Sequence, residues 1–189
     1  MELTPEMKRP YIDMGNRDMI QHMCKIYKLE ESESELLKRK IEFYLEVARK
    51  DTRPFPKMVQ LVKRLQEHGI PLAVASGSGM AIIEELLIRT GLRDAFSVIF
   101  SSELVEHSKP APDVFLECAK RMGIESRHLA VVEDSIHGVE AGVRAGMRVL
   151  AVPGFPDSSL DLTFHMANWL VEEGMEGFDE AQALGWLMG

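Results

Sequence analysis

Residues Val131–Met147 read VVEDSIHGVEAGVRAGM. A short apolar run, closed by Val131 and Val132, delivers two adjacent acids and then enters a segment built on glycine and alanine. The composition divides the stretch into a strand ending at Val132, a mouth at Glu133 and Asp134, and a helix from Ile136 to Ala145. Neighbouring carboxylates repel and resist burial, so a positive group is expected close to them. The plainer reading is a helix N-terminus in which Asp134 or Ser135 caps and Glu133 complements the helix dipole.

Outward from this stretch the chain alternates. Toward the N-terminus the pattern predicts helix Met58–His68, strand Ile70–Ala75, helix Ala81–Thr90, strand Ser97–Ser101, helix Asp113–Met122 and strand Leu129–Val132. Toward the C-terminus it predicts strand Met147–Val152, a further strand at Trp169–Val171 and a last helix after Phe178. Gly69, Gly91 and Gly123 follow three of the helices, where a left-handed terminating residue belongs. Short, continuously apolar strands alternating with amphipathic helices define an α/β fold, a doubly wound parallel sheet covered on both faces. Ligands in such sheets gather outside the carboxyl ends of the strands.

The front of the chain differs. Met19, Ile20, Met23, Cys24 and Tyr27 recur at helical spacing, and SESE at Ser32–Glu35 offers a capping box to a second helix carrying Leu37, Ile41, Tyr44, Leu45 and Ala48. The DTRPFPK run, Asp51–Lys57, sets two prolines one residue apart and stops the helix in a stiff, extended stretch. The expected organisation is a helical unit at 1–50, a hinge at 51–57 and an α/β core at 58–189.

With 189 residues, 46% hydrophobic, the chain is long enough for one sizeable core and a small second lobe. A net charge of -8 disfavours a polyanion as the main partner, so no nucleic acid is expected. No apolar run approaches the ~20 residues a spanning helix needs, so no membrane is expected either. Cys24 and Cys118 sit among apolar residues and read as buried thiols in a reducing cytoplasm.

Three strand ends carry polar groups. In VASGSGM, Ser76, Gly77, Ser78 and Gly79 lead into a helix; a hydroxyl beside glycine-freed N–H groups at a helix start cradles an anion, or serves as an ordinary serine cap. In SSELVEHSKPAPDVF, Pro110 confines Lys109 to an extended backbone, so its ammonium can act as a fixed charge rather than as a solvated surface lysine. Glu133 and Asp134 form the third end. Magnesium, which takes one or two carboxylates and completes its octahedron with water and phosphate oxygens, would supply the missing positive charge.

Taken together and in this order, the three segments resemble the haloacid dehalogenase-like hydrolase superfamily, in particular its β-phosphoglucomutase-like branch of sugar-phosphate phosphatases. VASGS with Ser76, SKPAPDVF with Lys109, and EDSIHGVEAGVRAGM with Glu133 and Asp134 match the family's second, third and fourth motifs. The resemblance implies a helical cap at 1–50 and a phosphate site formed by Ser76, Gly77, Ser78 and Lys109. It also implies Mg2+ on Glu133 and Asp134 and a small phosphorylated metabolite as substrate for a cytoplasmic monomer. His107 and His137 lie near these loops and read as ordinary loop or helix residues.

One departure stands out. The family opens with an apolar strand ending in DxDGT, whose first aspartate attacks phosphorus, and no such segment occurs here. Before Ser76 the aspartates are Asp13, Asp18 and Asp51, none of which follows an apolar strand. Without that strand, its two neighbours would present unpaired backbone groups, each costing about 1–3 kcal/mol. The sequence therefore predicts a core lacking its first strand, in a chain shortened at its N-terminus by roughly 20–30 residues. The expected function is Mg-dependent hydrolysis of a phosphomonoester through an aspartyl phosphate whose aspartate lies outside the chain. The alternatives are a sugar-phosphate mutase of the same family and an inactive homologue with a binding role.

Overall fold

The computed structural model describes residues 16–154 and 161–189. Asp13 lies outside the described residues. Helices α1 (Asn16–Tyr27) and α2 (Glu33–Asp51) form a hairpin, and the capping box is present: the Ser32 side chain accepts from the Glu35 N–H while the Glu35 carboxylate accepts from the Ser32 N–H. Helix α2 ends at Asp51, and α3 (Pro56–Glu67) begins on the second proline of the run. That is a suitable place for proline, because the first helical N–H has no partner within the helix.

From there strands and helices alternate: β1 (Ala73–Ser76), α4 (Met80–Arg89), β2 (Val98–Ser101), α5 (Asp113–Met122), β3 (Ala130–Glu133), α6 (Ile136–Arg144), β4 (Arg148–Ala151), β5 (Trp169–Leu170) and α7 (Glu180–Met188). All pairings are parallel. Strand β1 pairs with β2 in one sheet, and β3, β4 and β5 pair in that order in a second. Gly69, Gly91 and Gly123 have φ of +70°, +68° and +68°, the left-handed helix endings their positions predict.

Side-chain alternation along β4 divides the interior between two faces. Val149 and Ala151 join Phe100, Val114, Val139 and Phe164 on one face, while Leu150 and Val152 join Leu61, Leu65 and Phe178 on the other. Helices therefore cover both sides, as expected for a doubly wound α/β fold. Fully burying a side chain such as Leu150 contributes roughly 1.5–3 kcal/mol. Helix α6 approaches the sheet very closely: a Cβ on Gly142 would stand 2.9 Å from Val149 Cγ2. Among the described residues no helix is long and apolar enough to cross a membrane.

Candidate active site

The carboxyl ends of β1 and β3 open onto one cavity of about 1240 Å³, and Ser76, Gly77, Ser78, Lys109, Glu133 and Asp134 all line it. The structure thus brings together every residue that the sequence singled out as a candidate for the site.

Ser76 ends β1, and its hydroxyl accepts from the Ser78 N–H at 3.1 Å, which folds the loop back on itself. The N-cap of α4 is Gly79, with no side chain engaged in capping. The serine-cap reading of this loop is therefore not what forms, and no side chain caps the start of α4. The Ser101 hydroxyl donates to the Ser78 carbonyl at 2.7 Å and accepts from the Glu103 N–H at 3.1 Å, tying this loop to the end of β2.

The Lys109 ammonium donates to Glu133 Oε1 at 2.5 Å and to the Ala75 carbonyl at 3.4 Å, and lies 4.8 Å from the centre of the Phe115 ring. It spans the ends of β1 and β3. The Lys109 and Glu133 side chains are only 13% and 8% exposed. Burial pushes the Glu133 carboxyl above its ordinary range, and the Lys109 charge opposes that shift. A buried pair of this kind adds little net stability; its consequence is a fixed position for the cation.

Strand alternation explains why adjacent acids differ. Glu133 is the last residue of β3 and lies on the buried side with Val131, whereas Val132 and Asp134 are exposed. Glu133 Oε2 accepts from the Asp134 N–H at 3.0 Å, so both Glu133 oxygens are engaged. Gly138 makes the room: a Cβ there would fall 1.9 Å from Glu133 Oε1. The α6 cap is Ser135, whose hydroxyl accepts from the Gly138 N–H at 3.1 Å. Asp134 is thereby released from capping, and its carboxylate stands at the cavity mouth against Gly154.

Among the described residues no group of three or more His, Cys, Asp or Glu gathers to hold a metal by itself. Magnesium needs only one or two protein carboxylates, with water and phosphate oxygens for the rest. An exposed Asp134 beside Glu133, at the mouth of a cavity open to ligand, fits such a hard cation.

Sequence reading missed Ser102, which is 4% exposed, lines the cavity and has no partner for its hydroxyl among the described residues. His137 also lines the cavity, with Nδ1 buried and unpartnered among the described residues. The only signal for Ser102 was its place just beyond a strand. His107 instead lies on the outside, 64% exposed, with its ring nitrogen 3.2 Å from Asp113 Oδ2. Above the mouth, the Asn16 side chain of α1 donates to Glu103 at 3.4 Å and accepts from Lys40 of α2.

Ser76, Lys109, Glu133 and Asp134 thus gather around one cavity at the strand ends of a parallel α/β fold. Residues 1–152 match the haloacid dehalogenase-like hydrolase family, and the chain belongs to that family. It is 43% identical over 105 residues to the bifunctional riboflavin kinase/FMN phosphatase of Arabidopsis thaliana, covering 55% of this chain and 28% of that one. It is 40% identical over 118 residues to the fructose-1-phosphate phosphatase YqaB of Escherichia coli K12, covering 62% and 61%. Its fold superposes on β-phosphoglucomutase from Clostridium difficile with a TM-score of 0.80 at 19% identity, covering 97% of this chain and 82% of the other. The chain thus spans less than two thirds of the length of both curated relatives.

Proposed function

We propose that this chain forms the phosphate-gripping part of a magnesium-dependent phosphatase acting on a small phosphomonoester. A sugar phosphate is the first candidate, by analogy with the fructose-1-phosphate phosphatase relative. The observation that carries this reading is the Lys109 ammonium, half-buried and held between the ends of β1 and β3.

Ser76, the backbone at Gly77 and Ser78, and Lys109 grip the oxygens of the transferring phosphoryl group. Because Glu133 already fixes the ammonium, little reorganisation is needed as charge develops. The uncapped start of α4 adds its dipole at the same point. Asp134 would hold magnesium, with Glu133 beside it, and the ion when bound neutralises phosphate charge. The attacking carboxylate would come from an aspartate outside these 189 residues; transfer to it would break the ester P–O bond, release the substrate's alcohol as its oxygen takes up a proton, and give an aspartyl phosphate that water then hydrolyses to inorganic phosphate and the free carboxylate. The α1–α2 hairpin serves as the cap, with Asn16, Lys40 and Glu103 where the remainder of the substrate would lie.

Calorimetric titration of inorganic phosphate into the 189-residue chain, with and without magnesium chloride, tests the grip directly. Saturable binding that strengthens with magnesium and weakens about tenfold or more in Lys109→Met is the expected result, a loss of roughly 1.4 kcal/mol or more. Undiminished binding in Lys109→Met would refute this assignment.

A further inference from the structure

Beyond the cradle, the cavity wall continues through the loop that follows β2, where Ser102 and Glu103 both line it. Ser101 is the parallel partner of Ser76, so these two residues lie just past the strand end, beside the Ser76–Gly79 loop. The Ser101 hydroxyl fixes that placement by bonding both the Ser78 carbonyl and the Glu103 N–H. Across the mouth the polar groups therefore run from Glu133 and Asp134 after β3, through Lys109 and the β1 cradle, to Ser102 and Glu103 after β2. Asn16 and Lys40 of the hairpin lie beyond them.

Two independent observations single out this stretch. Ser102 is 4% exposed, and its hydroxyl has no partner among the described residues. A buried hydroxyl is costly without a hydrogen-bond partner, and the cavity is where one can reach it. Glu103, for its part, lies across the cradle loop: a Cβ on Gly79, the α4 N-cap, would stand 2.8 Å from Glu103 Oε2. The other Glu103 oxygen accepts from the Asn16 amide at 3.4 Å, and Asn16 in turn accepts from Lys40.

The set combines a hydroxyl that donates and accepts, a carboxylate that only accepts, an amide that does both and an ammonium that only donates. The carboxylate and the ammonium offset each other in charge. Such a wall suits a neutral group rich in hydroxyls. A second acid on the ligand would meet Glu103, and an apolar group would leave Ser102 without a partner.

We propose that Ser102 and Glu103 form a leaving-group subsite. Ser102 hydrogen-bonds a hydroxyl carried close to the phosphoryl group, and Glu103 accepts from one further along. The site thereby takes phosphate esters of neutral polyhydroxy alcohols over esters that bear a second acid, and part of its specificity resides in the core loop after β2. This subsite rests on the proposed function, because it requires a phosphoryl group in the cradle beside it.

The test titrates the 189-residue chain, Ser102→Ala and Glu103→Gln by calorimetry in magnesium chloride with inorganic phosphate, propyl phosphate, fructose 1-phosphate and 2-phosphoglycolate. Ser102→Ala is expected to weaken fructose 1-phosphate about fivefold or more, while inorganic and propyl phosphate change by less than about twofold. The parent chain is expected to bind fructose 1-phosphate about tenfold or more tighter than 2-phosphoglycolate, and Glu103→Gln to narrow that preference. Thermal melting without ligand separates binding from a structural role. An unpartnered hydroxyl leaves Ser102→Ala at least as stable as the parent, whereas a lower melting temperature would show that the hydroxyl serves the fold and would overturn its assignment. Equal loss for all three phosphate ligands, or no loss for fructose 1-phosphate, would overturn it as well, the latter with the Lys109 grip intact. A preference that is absent, or unchanged in Glu103→Gln, would remove Glu103 from the subsite. Failure of inorganic phosphate itself to bind would refute the proposed function, and the subsite with it.

Discussion

Lys109 and Glu133 each make the other tolerable in a dry place. Removing the ammonium alone leaves a carboxylate 8% exposed with only the Asp134 N–H for company. The group then loses its charge partner and keeps its desolvation penalty. Lys109→Met, which preserves most of the apolar stem against Phe115, should therefore destabilise the fold by about 3–5 kcal/mol in urea unfolding at neutral pH. Adding Glu133→Gln to that variant removes the stranded charge and should recover much of the loss. If the double variant is no more stable than Lys109→Met alone, the ion pair is not what fixes this corner of the molecule.

Between elements, much of the architecture is legible in the sequence because local chemistry and tertiary pairing agree. Helix α5 spans Asp113–Met122, as its apolar spacing and Gly123 predict. Where they disagree, hydrogen bonding decides. The strand expected from Ile70 starts at Ala73, because the Ile70 N–H is taken by the Leu65 carbonyl closing α3 and Pro71 has no N–H to give. The strand expected to end at Val132 continues through Glu133, whose carbonyl accepts from the Val152 N–H at 2.8 Å. That single added residue separates the acids onto opposite sides. Periodicity located Ser76 and Asp134 at or just past strand ends and Pro110 marked Lys109 in the loop after the next strand, but the Glu133–Lys109 partnership and the buried Ser102 exist only once the strands are assembled. The hairpin meets α4 through a forked pair, in which Arg49 Nε lies 3.0 Å from Glu85 Oε1 and Arg49 Nη2 lies 3.3 Å from Glu85 Oε2. The Arg49 hydrogen bond holds the Glu85 carboxyl below its ordinary value of 4.5. A carboxyl depressed on folding contributes stability that is present above its unfolded value and is lost as pH falls through the folded one. Glu85→Gln should therefore melt slightly below the parent chain at neutral pH, and the gap should close as the pH is lowered below 4.5. A gap that persists unchanged into acid would mean the pair does not tie the hairpin to α4.

At the scale of the whole molecule, strength is unevenly distributed. Strand β4 is paired on both sides, by β3 and β5, and its Val149, Leu150 and Ala151 are at 0% exposure. Strand β1 is half-buried throughout and paired on one side only. In a parallel ladder alternate residues bond to opposite neighbours, so in β1 and β3 every second amide faces the edge left unpaired among the described residues and the others face β2 or β4. Local opening needs less free energy where fewer bonds and contacts must break. Residue-resolved hydrogen exchange on the chain alone should therefore show the slowest amides in β4. A sawtooth is expected along β1 and β3, with amides on the unpaired edges exchanging about tenfold or more faster than their neighbours. Uniform protection along β1 and β3, equal to that of β4, would mean that both edges are already covered and that the two sheets behave as one closed unit. The sawtooth would place a weak seam of the molecule directly beneath Lys109, whose ammonium joins the ends of β1 and β3.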